Sequence, residues 1–309
     1  MTNLIVLAIY LLIGVVIKRA GKFPDNTAQV LNLYVIYAAL PGVIFTKIPD
    51  LHFSSDLIIP IITPWLLLAM SAVMVLLLSR WFNWSREVTG ALLICVPLGN
   101  TSFFGFPMIE AFYGSDAIVY GLLYDQFGSF FGLAIYSTII IALYRPLAAG
   151  ESAERPRIMD IIKKIVLFPP FIALIIALII KDMAYPKVFS VLTESLAVTL
   201  VPVIMVAVGF QLKFRLPKGS KTPLTVGLLL KLLVMPAVTL LVLASTTGIE
   251  STLVQVTIFE AAMPPMITAG AVAIMAGLAP ILSAAMVGYG ILLAFVTLPL
   301  LHQLLQWLQ

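Results

Sequence analysis

Apolar runs, each close to the length that crosses a bilayer, follow one another along the whole chain of 309 residues. A helix needs about 20 apolar residues to span the hydrocarbon core. Ten segments approach that length: 2–17, 27–47, 57–79, 88–112, 117–144, 160–180, 187–210, 222–245, 252–276 and 280–304. Composition excludes the reading that these are core helices of a soluble protein. Apolar residues make up 61% of the chain and charged residues 10%, where a soluble domain carries about 25% charge. So few polar side chains cannot cover a water-soluble core. The expected fold is an all-α integral membrane protein of ten transmembrane helices, numbered here as spans 1 to 10.

The net charge of +4 does not point to nucleic acid, because the basic residues sit between apolar runs. Lys18, Arg19 and Lys22 follow span 1, and Arg80 and Arg86 follow span 3. Arg145, Arg155, Arg157, Lys163 and Lys164 follow span 5, and Lys213, Arg215, Lys218 and Lys221 follow span 7. The opposite face holds only Lys47, Lys181 and Lys187. Positive charge marks the cytoplasmic side, so both termini are expected outside the cytoplasm. Short loops suggest a bacterial inner membrane.

The one long connection lies mid-chain and divides it into residues 1–144, a cytoplasmic linker 145–159, and residues 160–309. Phe23-Pro24 and Pro41 in the first half find counterparts in Tyr185-Pro186 and Pro202, each about 160 residues later. Five spans is an odd number, so the second half must enter from the other side. That is an inverted repeat, a frequent plan among secondary transporters.

Span 4 contains Pro97, Gly99, Asn100, Thr101, Ser102, Gly105 and Pro107 within eleven residues. Proline removes a backbone donor and clashes with the preceding turn, and glycine permits unusual backbone angles. Span 9 has Pro264 and Pro265, followed by Thr268 and Gly270. Irregular backbone at membrane depth is tolerated only where protein buries it or it lines a cavity. Two interrupted segments at corresponding positions of a repeat mark a substrate site. Their half-helix N-termini carry partial positive charge and suit an anion. Gly99, Asn100, Thr101, Ser102, Pro264, Pro265 and Thr268 are therefore the candidate binding residues. Pro97, Gly105, Pro107 and Gly270 are the candidate hinges.

Ionisable or amide side chains inside spans are costly and mark pathways or pairing sites. Glu110, Asp125, Gln126, Lys231 and Glu260 stand in such positions. They are candidates for coupling to a proton or to sodium. The structural alternative for Asp125 and Glu260 is pairing with Lys231. Asn32, Tyr34 and Tyr37 near Pro41 are read as packing or interfacial residues, and Glu194 as reaching the interface.

At the two interrupted spans the chain resembles the auxin efflux carrier family. The resemblance lies in Asn100-Thr101, Gly105, Pro107-Met108-Ile109 and Tyr113-Gly114, then Ala261-Ala262-Met263-Pro264, Pro280-Ile281-Leu282-Ser283 and Leu298-Pro299. It implies crossing broken helices in spans 4 and 9. It also implies a scaffold of spans 1, 2, 6 and 7, a transport part of spans 3–5 and 8–10, a homodimer, and elevator-type alternating access. In that family the asparagine matched by Asn100 helps bind the substrate carboxylate, the proline of the second crossover matches Pro264, and a glutamine in span 5 matches Gln126. The plant exporters have a long central loop that this chain lacks, so neither loop regulation nor indole auxin as substrate carries over.

The expected function is transport of a small organic anion, a carboxylate above all. The alternatives are a sodium-coupled symporter of the bile-acid type and, more remotely, a non-transporting membrane receptor. An enzyme is not expected. The chain has no His-Glu-x-x-His helix and no phosphate-binding Gly-x-x-x-x-Gly-Lys loop, and His52 and His302 stand far apart. With one cysteine, Cys95, neither an internal disulfide nor a metal cluster is expected, and no cofactor.

Overall fold

In the computed structural model, residues 2–51, 53–146, 157–212 and 221–308 are described. The centre of the linker, with Arg155, and the basic residues Lys213, Arg215 and Lys218 lie outside them, as does His52. The described chain is helical, and seven helices are long and apolar enough to cross a membrane. These are Thr2–Arg19, Thr27–Lys47, Ser55–Trp81, Ser115–Tyr144, Lys187–Gln211, Lys221–Thr246 and Pro280–Trp307. A bent pair, Ile158–Val166 and Pro169–Ile180, makes an eighth if its two pieces count as one span.

The bend corrects the expectation of one unbroken run over 160–180. The two pieces meet at 60°. Phe168 precedes Pro169 and is extended, with φ −74° and ψ 117°, because the proline ring disfavours helical backbone at the residue before it. Ile158–Val166 buries none of its residues. Isoleucines line one side of it, and Asp160, Lys163 and Lys164 the other, as in helices that lie along a membrane surface.

The fourth and ninth runs are each split. Arg86–Cys95 ends before the Pro97–Asn100 segment, and helix resumes through Thr101–Gly105 into Phe106–Tyr113. Thr252–Ala261 ends before Met263–Met266, and helix resumes at Ile267–Met275. Each helical piece is about half the length needed to cross a bilayer.

Prolines leave a regular trace elsewhere. Wide π turns at Val35–Ala39, Thr101–Gly105 and Leu230–Val234 each end two residues before a proline: Pro41, Pro107 and Pro236. Proline cannot donate to the carbonyl one turn back, and the wider turn absorbs the mismatch without ending the helix.

The chain forms two compact units. The first comprises Met1–Ser55, Ser102–Leu122 and Lys163–Leu212. Its tightest packing is between Thr2–Arg19 and Leu200–Gln211, where two glycines let the backbones touch. A Cβ on Gly14 would stand 2.1 Å from the Val206 carbonyl oxygen, and one on Gly209 2.0 Å from that of Leu11. Small residues at such crossings let helices associate by van der Waals contact where lipid removes the usual hydrophobic drive. Phe189 packs edge-on against Phe45 and Tyr185, and Lys47 pairs with Asp116 at 2.8 Å.

The second unit comprises Asp56–Thr101, Leu123–Ile162 and Lys213–Gln309. At its centre is Arg86–Cys95, buried from Thr89 to Cys95. Its neighbours are Ser55–Trp81, Thr138–Tyr144, Lys221–Leu229, Ile267–Met275 and Pro280–Trp307. Ser85 caps it by accepting a hydrogen bond from the Val88 N–H, which satisfies one of the open donors of the first turn. Leu92, Ile94, Val96, Leu228, Leu282 and Met286 belong to the core around it. The interrupted segment of the fourth run thus hangs from a helix buried over most of its length.

Gly209→Ala is expected to lower the unfolding midpoint in detergent, because the new methyl meets backbone and not a movable side chain. Overpacking of this kind costs about 1–3 kcal/mol. A thermal melt indistinguishable from wild type would show that the two helices do not depend on this contact.

Candidate functional site

The two interruptions in the second unit meet. The Asn100 N–H donates to the Pro264 carbonyl at 2.8 Å, and the Met266 N–H donates to the Leu98 carbonyl at 2.9 Å. Gly99 and Pro265 form an isolated antiparallel bridge between these bonds. Each interrupted stretch completes the backbone hydrogen bonding of the other, the condition for non-helical backbone away from water. Pro264 and Pro265 suit this place because the Pro264 carbonyl accepts from Asn100 while their nitrogens carry no N–H and need no acceptor.

Around this bridge lie polar side chains shut away from solvent. Asn100 is 2% exposed and its amide nitrogen has no hydrogen-bond partner among the described residues. Thr101, on the first residue of its π turn, donates from Oγ1 to Asp125 Oδ1 at 2.6 Å. The second Asp125 oxygen accepts from Gln126 Nε2 at 2.8 Å. Gln126 Oε1 is buried and lacks a partner among the described residues. Lys231 is buried, with Nζ 3.5 Å from the Ala261 carbonyl. A Cβ on Gly99 would stand 3.1 Å from that ammonium, so glycine keeps the bridge backbone and the cation close together. Glu260 is 0% exposed, and neither of its carboxyl oxygens has a hydrogen-bond partner among the described residues.

Thr101, Asp125, Gln126 and Lys231 all sit on π turns. A π turn rotates the following residues relative to a regular helix and is frequent at functional sites. Proline-linked π turns are readable from sequence after the fact. The one at Asp125–Ser129 has no proline near it, and sequence offers no signal for it.

The remaining candidates are elsewhere. Pro97 is half-buried at the start of the interrupted stretch, and Gly270 packs against Val287 in Pro280–Trp307. Thr268, on the first turn of its helix, is exposed. Ser102, Gly105, Pro107 and Glu110 fall in the first unit. There Pro107 and Glu110 line an open groove of about 320 Å³ with Asn3, Tyr10, Val201 and Pro202. Asn3 donates to the Ala111 carbonyl at its edge. Asn3 and Tyr10 carried no signal in sequence, since each is an isolated polar residue near the start of an apolar run. Asn32 Oδ1 is buried without a partner among the described residues, Tyr34 bonds Thr199 at 2.9 Å, and Tyr37 and Glu194 are exposed. Among the described residues, no group of three or more His, Cys, Asp or Glu side chains gathers to hold a metal ion.

Chemically, the crossover offers neutral donors to a ligand: the Asn100 amide and the first-turn N–H groups of the helices starting at Thr101 and Ile267, which have no intrahelical partners. Beneath them lie one ammonium and two carboxyls.

The pattern of the membrane transport protein family matches residues 1–302. An uncharacterised transporter of Methanothermobacter thermautotrophicus is 27% identical over 301 residues, covering 94% of each chain. Another, from Methanocaldococcus jannaschii, is 26% identical over 278 residues, covering 85% of each. The chain belongs to the membrane transport protein family, the auxin efflux carrier family to which the residues around Asn100 and Pro264 pointed.

Proposed function

We propose that this transporter is a secondary carrier for a small organic anion, a carboxylate, bound at the crossover of the two interrupted helices. The observation that carries the reading is the Asn100 amide nitrogen, buried and unpartnered beside backbone that is already satisfied. A buried donor without an acceptor is unfavourable, and a carboxylate oxygen supplies the acceptor. Two half-helix N-termini add partial positive charge. Gly99, Thr101 and Pro264–Met266 hold the frame. Ser102 and Thr268 belong to the proposal as residues that a moving site brings into play.

The proposed mechanism is alternating access of the elevator type. Spans 3–5 and 8–10 carry the crossover and move, and spans 1, 2, 6 and 7 stay as scaffold. The grouping of Met1–Ser55 with Lys163–Leu212 into one compact unit supports the scaffold, although that unit also takes in Ser102–Leu122 of spans 4 and 5. The wider proposal is ten spans in two inverted repeats, with both termini outside the cytoplasm of a plasma membrane, assembled as a homodimer. The pairing of an interrupted fourth run with an interrupted ninth supports the repeat.

Purified protein is expected to melt at higher temperature in the presence of its substrate, since a ligand that binds only the folded state stabilises it by mass action. A screen of small carboxylates, cations and neutral solutes tests this. A carboxylate hit supports the reading. Stabilisation by cationic or neutral solutes alone would overturn it.

Asn100→Ala is expected to fold with a wild-type circular dichroism spectrum and to lose the carboxylate-induced shift. It should also lose at least tenfold in uptake by proteoliposomes, the loss of one hydrogen bond to a charged group being about 1.5–3 kcal/mol. Wild-type uptake by this variant would remove Asn100 from the site.

A further inference from the structure

Three ionisable side chains are buried together below the crossover, and their charges do not cancel. Lys231 brings one positive charge, and Asp125 and Glu260 bring one negative charge each when ionised. Asp125 and Lys231 are the charges that bear on Glu260. The other titratable group facing it is the buried phenol of Tyr124. A net charge in a low-dielectric interior is strongly unfavourable, so this cluster is completed by one more positive charge.

Hydrogen bonding decides which carboxyl takes it. Asp125 accepts from Thr101 on one oxygen and from Gln126 on the other, which favours a carboxylate there. Glu260 accepts from none of the described residues and is fully buried. An ionised carboxylate with no donor is the least favourable member of the set.

Resting on the anion-carrier reading above, we infer that Glu260 carries one exchangeable proton whose uptake is linked to anion binding at Asn100, so that anion and proton move together. With Glu260 ionised the cluster has a net charge of minus one and repels an anion at the crossover. With Glu260 protonated it is neutral. The cluster lies close enough for this to act: Lys231 Nζ stands against Gly99, next to Asn100, and Glu260 is next to Ala261, whose carbonyl faces the same ammonium. Linkage is reciprocal. Acidification tightens anion binding, and the anion tightens proton binding by the same factor, about tenfold for a coupling of ordinary size. The proton comes from solvent on the side where the anion enters and leaves with it on the other.

The test uses the full chain in lipid. Infrared difference spectra between about pH 8 and about pH 5 read the C=O stretch of a protonated carboxyl directly. They are taken with and without a mixture of acetate, succinate and benzoate, in sodium-free buffer and again with sodium. The expected result is a band gained on acidification, lost in Glu260→Gln and kept in Glu110→Gln. The anion mixture moves its midpoint to higher pH, and sodium has no effect.

Glu260→Gln, which fixes the neutral form, should bind the anions independently of pH at the affinity wild type reaches in acid. Absence of the band in wild type, its survival in Glu260→Gln, or its suppression by sodium would overturn the proton site. A band that behaves as expected but ignores anions that do stabilise the protein would overturn the linkage. If the anions neither stabilise the protein nor move the band, the carrier reading fails at that site while the proton site stands. Wild-type anion affinity followed against pH tests the linkage equally well and relies on no variant: a rise on acidification supports it, and a flat profile overturns it.

Discussion

The backbone bridge between Leu98–Asn100 and Pro264–Met266 is the constraint from which the rest of the second unit follows. Two segments of chain leave helical geometry in a part of the molecule closed to solvent, where every backbone donor and acceptor needs a partner. They find those partners in each other, through Asn100 to Pro264 and Met266 to Leu98. Neither interruption is stable without the other, so the two runs have to be held in fixed register. The buried helix Arg86–Cys95 and the long helix Pro280–Trp307 pack to do this, and Gly290 leaves room for the Pro265 ring.

A second consequence is the placement of charge. The two bridge bonds tie the segments together but bring no charge, so charge beneath the bridge must come from side chains. Lys231 and Asp125 supply it from π turns. A regular helix cannot change the direction of one side chain without moving the others on its face. One wider turn does so locally, and the helices stay continuous on either side. This is how Lys221–Thr246 remains long enough to span a membrane while offering an ammonium to the crossover.

Much of this was legible in the residues. Hydropathy located the apolar runs to within a few residues, since a membrane span is specified by length and composition. Paired prolines and glycines located both interruptions. Glu110, Asp125, Gln126, Lys231 and Glu260 stood out because polar groups are rare in such runs, and Asn100 because of its place in the interruption; the last four of the five fall in the second unit with Asn100, and Glu110 falls in the first. What sequence did not carry was pairing. Nothing in it says that Thr101 bonds Asp125, or that Glu260 is left without a donor. Both depend on turn geometry at Thr101–Gly105 and Asp125–Ser129, and only the first has a proline to announce it. The bend before Pro169 was missed for a different reason: the isoleucines on either side of it are continuous in hydropathy, and the extended Phe168 separates the two helical pieces.

The arrangement also separates recognition from charge compensation. A carrier has to release what it binds, so an ammonium in direct contact with a carboxylate would hold the substrate too well, charge-assisted bonds being about twice as strong as neutral ones. In the proposed site the group facing the ligand is a neutral amide, and Lys231 stands against Gly99, directed at the Ala261 carbonyl. Its field still reaches the crossover, but that field depends on the two carboxyls beside it. On the proposed reading, affinity at Asn100 follows a charge balance that lies outside the contact itself and can change during a transport cycle without rebuilding the site. Gly99 helps to keep this arrangement: a Cβ there would stand 3.1 Å from the ammonium and require it to shift away from the bridge by a fraction of an ångström.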